Sequence, residues 1–367
     1  MSGRIFVDAL ILKGGGVKGL AFAGAVQELE NHFEFRTFVG TSAGAIAAAL
    51  LAAGATGANL EQRLRKKSFR DFLDGWSWAA FVTIPLFGGI HPGLSLSNWI
   101  RDELWEIREK RNEVYMKDLV PRRAVIYASQ ATRGPITFDS ESEHKDWTVH
   151  AAVRCSLSIP YFFRPQYVDQ QWAYDGGLLN NFPVEIFLDQ ERNRTPARHP
   201  DFVALYLGTV KPPPLKLGYQ ALALLSLMIE RNDRDVMERY RDKTIVIDTD
   251  PIGTIDFALT DEEKNFLIVV GRAAALEFLS DRALVDRQAA LCLKSEAEYL
   301  RDRIKKNRQQ RRYLLVLPRF LVSSFAAIAA FFAILAIVIA TALGPLAPPR
   351  PDDPLASLEK LAIYLRR

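Results

Sequence analysis

The N-terminal part of the chain repeats one pattern twice: a short apolar run, a glycine-rich turn and a helical stretch. Ala9–Leu12 runs into Gly14-Gly15-Gly16, and the segment from Gly19 to Glu30 has apolar residues at helical spacing. Phe35–Val39 then runs into Gly40-Thr41-Ser42-Ala43-Gly44 and an alanine-rich stretch. Because parallel strands need long crossovers, which are usually helices, this alternation predicts a layered α/β domain.

Further elements continue the same alternation downstream. Thr260 followed by Glu263 predicts a capping box at the start of a late helix. The predicted strands are Ala124–Ser129, Val203–Leu207 and Thr244–Ile247, and the predicted helices are Ser97–Glu109, Leu217–Arg241 and Asp261–Leu279.

Charge and cysteine content exclude several classes of protein. The 47 basic and 43 acidic residues leave a net charge of only +4, which does not indicate a nucleic-acid partner. Cys155 and Cys292 are the only cysteines, and their separation predicts neither a disulfide framework nor a metal site. The segment from Met1 to Lys13 lacks the pattern of a signal peptide, so we expect the N-terminal domain to remain in the cytoplasm.

The C-terminal part has a different character. Phe320–Leu343 comprises 24 residues without charge or proline, which as a helix would reach about 36 Å, long enough to cross a bilayer. We therefore predict a single transmembrane helix at 314–343, a charged helical connector at 284–313 and a tail with a short amphipathic segment at 344–367. The excess of basic residues before the span places the preceding domain on the cytoplasmic side and the tail on the opposite side. Self-association through 284–343 is possible on this pattern.

The pentapeptide Gly40-Thr41-Ser42-Ala43-Gly44 matches G-x-S-x-G between a predicted strand and a predicted helix. Such a turn exposes the serine hydroxyl, and its small flanking residues, Gly40, Thr41, Ala43 and Gly44, let the turn close. The free N–H groups of the following helix favour developing negative charge. Glycine-serine turns also occur as plain connections, so the motif predicts a nucleophile only in company with other signals.

The segment Gly14-Gly15-Gly16-Val17-Lys18-Gly19 allows two interpretations. Its glycines could cradle a dinucleotide, but the acidic residue expected at the end of the second strand is missing, and Glu34 precedes that strand. As an oxyanion loop, its backbone N–H groups would stabilise a tetrahedral oxygen, with Lys18 adding positive potential. The second interpretation is favoured.

Asp175-Gly176-Gly177 follows a strand-like approach and could be an ordinary turn. It could also supply a base for Ser42, provided that a site shielded from water raises the pKa of the carboxyl group. The five histidines, His32, His91, His144, His150 and His199, lie in loops, polar stretches or helix ends, and only His150 merits further attention. Without a suitable histidine, a Ser–Asp dyad is the simplest prediction.

The three motifs in this order resemble the patatin-like phospholipase family, and the similarity covers about residues 5–283. Supporting similarity lies in Cys155-Ser156-Leu157-Ser158-Ile159-Pro160 and in Asn180-Asn181-Phe182-Pro183. The resemblance implies a three-layer α/β/α hydrolase domain at 1–283. One departure is Lys13, where relatives often carry Asp or Ser, which could change the charge at the headgroup end of the site.

Residue by residue, the resemblance implies Ser42 as nucleophile and Asp175 as base, with no metal and no cofactor. It implies that the N–H groups of Gly15 and Gly16, with Val17 as a further donor, form the oxyanion hole. The predicted protein is a membrane-anchored lipid acyl hydrolase of phospholipase A or lysophospholipase type, acting on membrane phospholipids or other acyl lipids. Two alternatives remain: an acyltransferase using the same acyl-enzyme, and a non-catalytic, membrane-tethered sensor or scaffold.

Overall fold

The computed structural model describes residues 3–75, 86–195, 199–208 and 233–311. Its strands are β1 (Ile5–Leu12), β2 (Phe33–Thr41), β3 (Gly89–His91), β4 (Arg123–Gln130), β5 (Gly134–Asp139), β6 (Tyr161–Phe163), β7 (Gln166–Val168), β8 (Gln171–Asp175), β9 (Phe202–Leu207) and β10 (Thr244–Ile247). Its α-helices are α1 (Leu20–Leu29), α2 (Ala43–Ala53), α3 (Gly57–Lys66), α4 (Leu94–Arg108), α5 (Val149–Ser156), α6 (Gly177–Asn180), α7 (Val184–Arg194) and α8 (Asp261–Ser280).

The described strands form a mixed main sheet in the order β10-β9-β1-β2-β4-β8-β7, with β5 paired to β4, and β3 and β6 form a small separate sheet. The five strands from β10 to β4 are parallel, so their carboxyl ends meet at one edge of the sheet. β8 pairs antiparallel with β4, with Ala128 opposite Asp175. Ligand sites of open α/β sheets lie outside the carboxyl ends of the strands, which directs attention to this edge.

Apolar cores cover both faces of the main sheet, as the alternating directions of the side chains along β1 show. Leu10 and Leu12 point into the larger core, which includes residues of α1, α2 and α8. Ala9 and Ile11 point into the second core, which includes Phe187 of α7. Successive strand residues point to opposite faces, so a buried parallel strand must be apolar throughout. The three-layer α/β/α expectation is confirmed for this domain.

The predicted elements occur with small shifts at their ends. The Thr260–Glu263 capping box forms, with Thr260 N–H donating to Glu263 at 2.8 Å and Glu263 N–H donating to the Thr260 hydroxyl at 3.3 Å. Of the helix predicted at Leu217–Arg241, residues 217–232 lie outside the described residues, and the chain is helical at 233–239.

The packed domain continues well beyond the last of the three sequence motifs, which ends at Gly177. The first compact unit runs to Ile304, and Ala297, Leu300 and Ile304 of its last helical segment are buried in the larger core. Part of the charged helical connector predicted from residue 284 is therefore a helix packed against the core, because these three apolar residues recur at spacings of three and four. No helix in the ranges that the structure describes is long and apolar enough to cross a membrane. The span predicted at 314–343 and the tail at 344–367 lie outside those ranges.

Candidate active site

Ser42 occupies the turn between β2 and α2 with a strained backbone. Its φ of 53° and ψ of −121° lie in a region that L-residues with a side chain rarely adopt. The sharp turn needs close backbone approaches, because a Cβ at Gly40 would collide with the carbonyl oxygen of Gly44, and one at Gly44 with that of Leu12. Ser42 itself is 4% exposed. This is the geometry of a nucleophile elbow.

Asp175 ends β8, on the opposite side of β4 from the strand that leads to Ser42. Its Oδ1 accepts the N–H of Gly177 at 2.7 Å, whereas its buried Oδ2 has no well-aligned hydrogen-bond partner in the part of the chain that the structure describes. Burial raises the pKa of Asp175 to about 6, and the nearby Ser42 hydroxyl and the Gly177 N–H oppose part of that rise. The Ser42 hydroxyl is thus close enough to lower the pKa of the Asp175 carboxyl group, although it makes no well-aligned hydrogen bond with Oδ2.

Ser156 and Ser158, two residues apart, form hydrogen bonds with the backbone at Ser42 and at the Asp175 turn. Ser156, at the end of α5, accepts the Ser42 N–H at 2.9 Å and donates its hydroxyl to the Tyr127 carbonyl at 2.6 Å. Its own carbonyl accepts the Gly176 N–H at 3.3 Å, and the Ser158 carbonyl accepts the Asp175 N–H at 2.9 Å. In the sequence, residues 155–160 showed only a supporting similarity. No local pattern there predicts that the segment connects the Ser42 turn to the Asp175 turn.

The glycine loop lies beside the same turn, and most of its N–H groups are already used. The N–H of Gly14 donates to the Asn181 carbonyl at 2.9 Å, that of Val17 to Thr254 at 3.1 Å and that of Lys18 to Gly15 at 3.3 Å. The N–H groups of Gly15 and Gly16 have no acceptor among the described residues. Gly16 has a φ of +57°, and a Cβ there would collide with the Thr254 carbonyl. A larger residue could not take this conformation without displacing the chain.

Lys13 is buried and makes two close contacts in the structure. It is 5% exposed, with its Nζ 3.2 Å from Asp233 and 4.7 Å from the centre of the Tyr206 ring. Asp233 also accepts from the Asn181 side chain at 2.8 Å. The sequence offered no signal for Asp233, because it lies far along the chain from every motif.

The histidines take no part in this arrangement. His150 contacts Ser97 and Glu113, at 3.0 Å and 3.1 Å. The ligand atoms of Glu143, His144 and Asp169 lie within 4.8 Å of one another, a spacing that could suit a metal. His144 already contacts the Thr137 carbonyl at 2.9 Å and Asp169 at 2.7 Å. The hydrogen bond between His144 and Asp169 explains why these two side chains lie close together.

Similarity to known proteins agrees with this geometry. The profile of the patatin-like phospholipase family matches residues 10–188. The chain is 31% identical over 297 residues to the uncharacterised protein YqhO of Bacillus subtilis, covering 75% of this chain and 98% of that protein. It is 29% identical over 178 residues to an uncharacterised NTE family protein of Mycobacterium tuberculosis, covering 48% of this chain and 27% of that protein. Among solved structures, VipD from Legionella pneumophila superposes with a TM-score of 0.49 and 16% identity, covering 75% of this chain and 67% of that one.

The fold and the matched region define an α/β hydrolase-like enzyme. The chain belongs to the patatin-like phospholipase family and is an enzyme of that class.

Proposed function

We propose that the protein releases fatty acids from acyl lipids through a dyad of Ser42 and Asp175. Asp175 accepts the proton of the Ser42 hydroxyl, and the serine oxygen attacks the acyl carbonyl. The alcohol or lysolipid leaves, and water then hydrolyses the acyl-enzyme. The N–H groups of Gly15 and Gly16 stabilise the oxyanion, since they have no acceptor among the described residues, whereas the N–H groups of Gly14, Val17 and Lys18 do.

One observation carries the proposal: Asp175 is a buried carboxylate with one unpaired oxygen beside a strained serine. A free aspartate is too weak a base to remove a serine proton efficiently near neutral pH. With the pKa raised to about 6, Asp175 stays mostly ionised at pH 7 and is a better base than it would be in water. A merely structural role requires neither the strain at Ser42 nor the unpaired oxygen.

A membrane lipid is the proposed substrate, at the cytoplasmic face of a bilayer. Exposed apolar side chains lie on or beside segments that contact the site: Tyr161, three residues after Ser158, is 58% exposed, Ile255 is 53% exposed and Phe87 is 50% exposed. Ile255 follows Thr254, which contacts the glycine loop, and the Tyr161 N–H donates to Gly88, next to Phe87. Such residues suit contact with lipid, and the apolar run at 320–343 would tether the domain to its substrate.

Fluorophosphonate labelling combined with fatty-acid release from phospholipid vesicles tests the dyad. Wild type should be labelled and active, whereas Ser42→Ala should lose labelling and fall in kcat by about 10⁴-fold or more. Asp175→Asn should be labelled slowly, because the serine keeps its position but lacks its base. Equal labelling of wild type and Ser42→Ala would refute the mechanism.

A further inference from the structure

A buried ion pair lies directly behind the glycine loop. Lys13, the residue before the loop, is 5% exposed and pairs with Asp233, which is 2% exposed. Burying two charges costs more desolvation than the pair usually recovers, so such a pair contributes little net stability. Its position next to the candidate site indicates a role other than holding the fold together.

Every oxygen of the Asp233 carboxylate is used, and its partners come from two separate segments. Oδ2 accepts from the Asn181 side-chain amide at 2.8 Å and lies 3.2 Å from Lys13 Nζ. Oδ1 accepts the N–H of Phe182 at 3.1 Å. Asp233 therefore joins the segment that follows the Asp175 turn to the residue that precedes the glycine loop.

Asn181 links the Asp233 carboxylate to the glycine loop and to the Asp175 turn. Its carbonyl accepts the Gly14 N–H at 2.9 Å. Its side-chain oxygen fills the space where a Cβ of Gly14 would stand, and it lies 2.8 Å from the position of a Cβ on Gly177. The amide nitrogen donates to Asp233, so the side-chain oxygen must face the two glycines.

We propose that Asp233 is a positioning residue for the oxyanion loop, acting with Lys13 through Asn181. The ion pair fixes Asn181, and Asn181 binds the N–H of Gly14, which leaves the N–H groups of Gly15 and Gly16 as the donors for the oxyanion. Preorganised donors matter because small displacements of a catalytic group cost large factors in rate. This inference rests on the proposed acyl-transfer function of Ser42.

The test replaces the ion pair with an apolar pair of similar size, Lys13→Met/Asp233→Leu. An apolar replacement avoids leaving one buried charge without its counter-ion, but the Asn181 amide and the Phe182 N–H lose their acceptor. The protein should therefore fold with a lower thermal unfolding temperature than wild type, and kcat is compared for the folded protein. Without an acceptor for Asn181, kcat should fall about 10- to 100-fold while KM changes by less than about 2-fold. The single variant Asp233→Asn should lose less kcat in its folded form, since an amide oxygen can still accept from Asn181, but its unfolding temperature should fall because Lys13 is left as a buried charge without a counter-ion.

A second readout separates positioning from general damage. An acyl trifluoromethyl ketone forms a tetrahedral adduct with the serine and needs the oxyanion donors, whereas a free fatty acid only occupies the acyl site. In Lys13→Met/Asp233→Leu, affinity for the ketone should fall in parallel with kcat, and affinity for the fatty acid should not change. The control Asp139→Asn, which disrupts a buried ion pair at β5, should leave the ratio of the two affinities unchanged.

Two results would overturn the inference: an unchanged ketone affinity and kcat in the double variant, or equal losses for the ketone and the fatty acid. Failure of the proposed function looks different. In that case wild type would form no adduct at Ser42, or Ser42→Ala would bind the ketone as tightly as wild type.

Discussion

Two buried aspartates of this protein have opposite surroundings. Asp139 is fully buried and accepts from Arg123 at 2.8 Å and 2.6 Å and from Arg194 at 2.9 Å. Asp175 is 6% exposed and accepts a single well-aligned hydrogen bond, from Gly177, with no cation paired to it in the described ranges. A buried carboxylate with counter-ions serves the fold, whereas one without them keeps an unsatisfied oxygen and a raised pKa, which is the condition of a base.

A cavity lined by charged residues lies at the opposite edge of the sheet from the candidate site. This cavity of about 270 Å³ opens where β2 and β4 begin, and Arg36, Arg123, Glu141 and Glu191 line it. Arg123 pairs with Asp139 and, at 3.0 Å, with Glu191. Arg123, Glu141 and Glu191 thus take part in ion pairs, and a polar lining does not suit an acyl chain. The reactive groups lie instead at the edge where the parallel strands end.

Replacing each aspartate by asparagine separates the two roles, and the largest effect should be on activity. Asp175→Asn should lower kcat by about 10²- to 10⁴-fold, because the general base is lost while the shape is kept. Asp139→Asn should leave kcat of the folded protein unchanged but lower the free energy of unfolding by about 3 kcal/mol, since two arginines lose their shared partner. Vesicle hydrolysis and urea unfolding measure the two effects. A large loss of kcat in Asp139→Asn would remove the distinction.

The pH dependence of Asp175 should give the next largest effect. Because its folded-state pKa is raised from 3.8 to about 6, the stability associated with the protonated form is present below pH 3.8 and is lost as pH rises through 6. Asp175→Asn should therefore gain up to about 3 kcal/mol in unfolding free energy over wild type between pH 4 and pH 7. Wild-type kcat should rise with pH through about 6, as the base ionises.

Urea unfolding at several pH values and a pH–rate profile check these expectations together. A pH-independent difference between the variant and wild type would mean that Asp175 is not held in the protonated form by burial.

The smallest effect concerns two exposed tyrosines at different places on the surface. Tyr161, three residues after Ser158, and Tyr167, on the β7–β8 hairpin, are 58% and 59% exposed. Tyr161→Asn should lower hydrolysis of vesicle phospholipid about 10-fold, because exposed aromatic area is lost from the lipid-facing side. Hydrolysis of a short, water-soluble ester should not change. Tyr167→Asn should affect neither substrate, and equal losses in both variants would contradict a lipid-facing role for Tyr161.

Much of the fold was predictable, because its signals are local. Buried stretches of parallel strands are apolar, so Ala9–Leu12 of β1, β9 and β10 were predictable from their apolar runs, whereas the first half of β1, which contains Asp8, was not. The Thr260–Glu263 capping box predicted the start of α8. The end of the domain was not evident, because Ala297, Leu300 and Ile304 are few apolar residues among many charged ones. Only their packing against the core distinguishes a docked helix from a free connector.

The candidate site divides in the same way. The sequence by itself determined the strained serine turn, the glycine loop and the Asp-Gly-Gly turn, because each needs particular residues within a few positions of one another. Only the tertiary structure decided that, among the described residues, Asp175 has no paired cation, the Gly15 and Gly16 N–H groups have no acceptor, and Asp233 contacts Asn181 behind the loop. The physical reason is that pKa values and hydrogen-bond satisfaction depend on groups that folding brings together from distant parts of the chain.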